Sequence, residues 1–204
     1  MKKILCYGDS NTFGFNPADG SRFDENTRWP ALLQAHLKNE YEITEEGMCD
    51  RTGFIDNPRG FLFSAQRHFP KFLSKSDKFN IIILAIGTND FQFQYNLSSN
   101  AVQKGLAELI NTGQKKADKI IIVPPVILRE SILNGYFKIQ FDETGIIKSK
   151  KAGTIFRKLS SAMNCLYFDI NKYASPSDTD GLHYDSGTHK IIAEKLADFI
   201  KDNC

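Results

Sequence analysis

Residues 80–86 read NIIILAI, six apolar residues in a row after one asparagine. A strand with one wet face alternates apolar and polar side chains. A run this short and unbroken instead fits a strand covered on both faces, as in a parallel sheet. Residues 119–125, KIIIVPP, repeat the pattern. Working outward, weaker runs occur at 3–7 (KILCY), 41–46 (YEITEE) and 165–170 (CLYFDI). Segments of helical length separate them, at about 29–39, 60–73, 98–116 and 149–163. A last one, at about 186–201, carries Ile191, Ile192, Leu196, Phe199 and Ile200 as an apolar stripe. Alternation of strand and helix predicts right-handed βαβ units. The expected fold class is α/β: a flavodoxin-like, three-layer α/β/α sandwich around a five-stranded parallel sheet. With no repeat, linker or low-complexity tract, residues 1–204 read as a single domain. The stretch 126–148 is long for a connection, and such loops tend to serve function or interfaces.

Bulk properties exclude several classes. Twenty-six basic and 24 acidic residues give a net charge of +2 with the signs interspersed, so no basic footprint for nucleic acid or an anionic membrane stands out. No window of 18 apolar residues could span a bilayer. The apolar stretch before Gly8 is four residues, too short for a secretory leader, so the start reads as a first strand and the protein as cytoplasmic. Cys6, Cys49, Cys165 and Cys204 show no metal-type spacing, and Cys6 and Cys165 are expected as small core residues on strands.

Ligands of open parallel sheets bind beyond the carboxyl ends of the strands. Those ends carry GDSN (8–11), EEGMCDRTG (45–53), GTNDF (87–91) and SDTDGLH (177–183). Ser10, Asp50, Asn89, Asp180 and His183 are therefore expected to converge on one edge. A serine hydroxyl attacks an acyl carbon only when a base takes its proton and a third group orients that base. His183 is the candidate base and Asp180, three residues earlier, the candidate orienter. Asn89 can offer a side-chain N–H to a developing oxyanion, and the turns at Ser10 and after the second strand can offer backbone N–H groups. Asp9 and Asn11 are expected to fix the first turn by hydrogen bonds.

These blocks resemble those of the SGNH (GDSL-type) hydrolases. GDSN at 8–11, GTND at 87–90 and DGLH at 180–183 match that family's first, third and fifth blocks. The arylesterase and acyltransferase branch looks most similar, through Arg28-Trp29 and through a second block, Glu45-Glu46-Gly47 followed by Arg51-Thr52. The resemblance implies the SGNH hydrolase fold and a serine esterase without a cofactor, acting on small esters. Ser10 would be nucleophile, His183 base and Asp180 orienter, with oxyanion donors from Ser10, Asp50 and Asn89. Hydrolysis or acyl transfer to an alcohol is implied, as is a homo-oligomer in which 126–148 narrows the site. Two departures stand out. Many relatives have glycine at Asp50, so its carboxylate must point away from an oxyanion. Asn11 replaces a commoner leucine, a change expected to affect packing more than chemistry.

Other readings compete. Asp178, Asp180, His183, Asp185 and His189 could form a metal-dependent hydrolase site, although His189 is expected on a solvated helix face and no second ligand cluster completes it. A flavodoxin-like ligand-binding module is the other, but both phosphate-binding glycine patterns are lacking. Cys49 is the rival nucleophile. Phe13, Phe15, Phe91, Phe93 and Tyr95 crowd the blocks and could wall a narrow pocket, which suggests short acyl groups.

Overall fold

A computed structural model describes residues 1–38 and 40–204. Strands β1 (Lys2–Gly8), β2 (Tyr41–Gly47), β3 (Phe79–Ala85), β4 (Ala117–Val123) and β5 (Leu166–Tyr167) form one parallel sheet in the order β2-β1-β3-β4-β5. Ile81 to Leu84 and Ile120 to Val123 are all buried, which accounts for their unbroken apolar character. The chain runs from β1 to β2 on one side and then returns past β1 to β3. This reversal places a topological switch point between the ends of β1 and β3, where α/β sheets open a crevice. Gly8 faces both Gly47 and Ala85 across the sheet, so the first, second and third blocks leave it side by side.

The helices are α1 (Ser10–Phe13), α2 (Trp29–Leu37), α3 (Ala65–Lys75), α4 (Ser99–Gln114), α5 (Glu143–Ala162) and α6 (Ser186–Asn203). α2 packs against α6, whereas α4 packs against α3 and α5, giving one layer on each face of the sheet. Position 39, the last of the expected helix 29–39, lies outside the described residues. On α6 the buried stripe is Ile192, Ala193, Leu196, Ala197 and Ile200, with Phe199 packed partly against it. Ile191 is turned to solvent, one step round the helix from Ile192.

Three expected boundaries shift. β5 is two residues long rather than six, because pairing with β4 ends soon after Tyr167 and a 3-10 turn follows at Ile170–Lys172. The segment 60–73 divides into a 3-10 turn, Phe61–Phe63, and α3. α5 begins at Glu143, not 149, because the Asp142 side chain caps it by accepting from the Gly145 N–H. The irregular stretch thus shrinks to 126–142. It is held down by buried Leu128, Ile132 and Phe141, while Tyr136 and Ile139 stand 77% and 63% exposed. Cys6 lies in the core as expected, and Cys165 is half-buried just before β5. Among the described residues no helix is long and apolar enough to cross a membrane.

Candidate active site

β1 ends at Gly8, and a β-carbon there would lie 2.5 Å from the Ala85 carbonyl and 2.1 Å from Thr12 Oγ1. Only glycine lets β1 and β3 close around the turn that follows. Asp9 then caps α1 by accepting from the Asn11 N–H at 3.1 Å, and Ser10 becomes the first residue of that helix. Burial raises the Asp9 carboxyl above the usual range, while N–H and hydroxyl donors from Asn11 and Thr88 pull it back.

Ser10 Oγ lies 2.8 Å from His183 Nε2, and His183 Nδ1 lies 2.6 Å from Asp180 Oδ2. The other Asp180 oxygen, Oδ1, accepts from the Leu182 and His183 N–H groups, both at 2.9 Å. Burial would raise the Asp180 carboxyl, but hydrogen bonds from the His183 ring and from the His183 and Leu182 N–H groups outweigh it and hold the group below its ordinary range. An ionised carboxylate can only accept, so the Nδ1 atom carries the proton and Nε2 is left to accept from the serine hydroxyl.

Asn11 does more than pack. Its side chain donates to the Leu182 carbonyl at 3.2 Å and accepts from the Tyr184 N–H at 3.1 Å, bracketing His183 on both sides. The residue next to Ser10 therefore fixes the segment that carries the imidazole. Phe15 and Phe137 pack against that ring, with centroids 4.2 and 5.3 Å from it. Phe15 was among the expected pocket walls, whereas Phe137 comes from the 126–142 stretch. Phe91 is a core residue, and Phe93 is exposed.

Asp50 has φ +61°, a left-handed conformation that glycine adopts freely and Asp tolerates better than most residues. That backbone requirement suits glycine, and Asp is among the few other residues that meet it. Its carboxylate is held by Arg59 at 2.8 Å and by Gln92 Nε2 at 3.1 Å. Asn89 Nδ2 donates to the Arg51 carbonyl at 3.1 Å, which leaves its second hydrogen for another acceptor.

Two residues to which the motifs assign no role build this corner. Asp90 is fully buried and accepts from the Gly53 and Phe54 N–H groups at 2.6 and 2.7 Å, clamping the second block to the third. Burial pushes its carboxyl up to about 7 against the pull of those two donors. Arg51, also fully buried, reaches the Gly8 and Glu46 carbonyls and pairs with Glu46 Oε1 at 2.9 Å. Its guanidinium lies over the Tyr7 ring, 4.5 Å from the centroid. Arg51 thereby binds the first block to the second.

The competing readings lose their footing here. Asp178 pairs with Arg129 at 2.7 Å, and Asp185 caps α6 through the Thr188 N–H. No group of three or more His, Cys, Asp or Glu residues among those described is arranged to hold a metal ion. His189 is fully buried rather than solvated, and its Nδ1 accepts from the Trp29 N–H at 3.2 Å. Burial and, secondarily, the nearby His183 depress its pKa to about 4, against an opposing pull from Asp185. Burial pushes the Cys49 thiol up to about 11, so little thiolate exists near neutrality.

The depressed His189 pKa has a consequence for stability. As pH falls, the unfolded chain takes up this proton near 6.5 while the folded chain resists it until about 4. The contribution is therefore full above about 6.5 and lost towards 4, worth about 3 kcal/mol. Chemical denaturation at pH 7 and pH 4 should show that loss in the native protein and a smaller one in His189→Asn. Equal losses would mean that folded His189 protonates normally.

A family model described as GDSL-like lipase/acylhydrolase matches residues 4–196. The chain belongs to that family. It is accordingly a carboxylic ester hydrolase that works through a serine, and a metal-dependent site is not favoured. Solved structures share the fold across whole chains. An inhibitor-bound aryl esterase from M. smegmatis is 25% identical with a TM-score of 0.91, each chain covered in full. A carbohydrate acetylesterase family member from Sinorhizobium meliloti is 26% identical with a TM-score of 0.91, covering 99% of this chain and 98% of its own. A putative arylesterase from Agrobacterium tumefaciens is 27% identical with a TM-score of 0.84, again over both whole chains. A search of curated proteins gave no significant match.

Proposed function

We propose that this GDSL-like hydrolase cleaves small esters of short acyl groups through an acyl-enzyme on Ser10. The observation that carries the reading is the continuous relay from Ser10 Oγ through His183 to Asp180, with links of 2.8 and 2.6 Å. His183 Nε2 takes the hydroxyl proton as Oγ attacks the carbonyl carbon, and Asp180 stabilises the imidazolium that results. The negative charge on the former carbonyl oxygen falls to the backbone N–H groups of Ser10 and Asp50 and to Asn89 Nδ2. Collapse expels the alcohol, which receives the proton from His183. Water, or a competing alcohol, then repeats the sequence in reverse and frees Ser10.

Phe15 and Phe137 against the imidazole support a narrow apolar site. The acetylesterase among the similar structures supports the same acyl class. Across nitrophenyl esters from acetate to octanoate, kcat/KM should fall by at least about tenfold, since fitting or excluding methylenes is worth 1–3 kcal/mol. A maximum at long chains would contradict the narrow site. Asn89→Ala should stay folded and lose about 10²–10³ in kcat. Unchanged turnover would remove Asn89 from the oxyanion hole.

A further inference from the structure

Gln92 lies one turn beyond Asn89, is 1% exposed, and is used by neither the relay nor the oxyanion donors. Its Nε2 donates to Asn89 Oδ1 at 3.2 Å and to Asp50 Oδ1 at 3.1 Å. Its Oε1 accepts from Gln94 Nε2 at 2.8 Å, and its backbone N–H donates to the Asn89 carbonyl at 3.3 Å. Each of these bonds has only one workable direction. The Arg51 carbonyl can only accept, which turns Asn89 Nδ2 towards it and Asn89 Oδ1 towards Gln92. The Asp50 carboxylate also accepts, so Gln92 must present its NH₂ to both and its oxygen to Gln94.

We infer that Gln92 is a positioning residue for the oxyanion hole, holding two donor-bearing residues at once. Through Asn89 it keeps the free amide hydrogen aimed outward. Through Asp50, with Arg59 on the other carboxylate oxygen at 2.8 Å, it draws away a negative charge that would otherwise oppose the oxyanion. A second-block glycine would carry no such charge and need no such restraint. Asp50 and Gln92 therefore form a matched pair in this chain. The inference rests on the proposed roles of Ser10, Asn89 and Asp50.

The test is a double-mutant cycle on nitrophenyl acetate hydrolysis, using Gln92→Met, Asn89→Ala and both together, with folding checked by circular dichroism. Gln92→Met should lower kcat about 10- to 100-fold with KM within about twofold, as expected when oriented donors serve the transition state. The share of the loss carried through Asn89 should vanish in the double variant, which then falls below Asn89→Ala by clearly less than the full Gln92→Met factor, the remainder being the Asp50 share. A kcat for Gln92→Met within twofold of the native value, or losses that multiply, would overturn the role. Should Gln92→Met fail to fold, the exposed Gln94→Ala serves instead. Freeing the Gln92 oxygen should then cost about threefold in kcat, and no change would overturn the role equally. Ser10→Ala, measured alongside, separates the two levels: full activity there overturns the nucleophile assignment, not the geometry around Gln92.

Discussion

Ser10→Ala is expected to lose about 10⁴–10⁶ in kcat on short-chain esters while its far-UV circular dichroism and melting temperature stay near native values. The loss is large because attack and proton transfer act as a unit, so removing the nucleophile strips value from every other member. The fold should persist because the hydroxyl's partner is the imidazole and not the scaffold. α1 is capped by Asp9, and its turn is tied down by Trp29 Nε1 donating to the Asn11 carbonyl at 3.0 Å. A residual rate within about a hundredfold of native would point to another nucleophile or to direct attack by water.

Asp180→Asn is expected to lose about 10⁴ in kcat near neutrality, again without unfolding. Asparagine can keep its carbonyl oxygen on the Leu182 and His183 N–H groups, because that side of the site demands an acceptor. Its NH₂ then faces His183 Nδ1, which must give up its proton and accept. The imidazole proton moves to Nε2, and Ser10 Oγ is left beside a donor instead of a base. Rates that rise steeply at high pH would fit this tautomer trap, since hydroxide can substitute for the missing base. A loss below tenfold would show that Asp180 does not set the tautomer.

How much of this could be read from residues alone varies with the range of the interactions. β3 and β4 were legible because burial on both faces leaves a run that no other element of that length shows. β5 is shorter than its apolar run, since CLYFDI stays apolar after pairing ends: Phe168 enters the core from irregular chain and Ile170 from a 3-10 turn. α5 starts ahead of its clear helical period, because its cap, Asp142, lies before that period. The candidate site was legible as blocks at strand ends, in the order that the topology brings together. The residues that hold those blocks in register were not. Asp90 bonds to N–H groups 37 and 36 residues away, and Arg51 reaches Gly8 across 43. Such contacts leave no local pattern. The burial of His189 is equally invisible locally: its helix position points to solvent, while Trp29, Phe23 and Tyr184 enclose it.

The most direct measurement is to inactivate the protein with a sulfonyl fluoride and map the adduct by mass spectrometry. One adduct per chain on the Ser10 peptide, forming in step with the loss of esterase activity and absent from Ser10→Ala, is the expected result. An adduct on Cys49 or elsewhere that tracks inactivation, with Ser10 unmodified, would contradict the account.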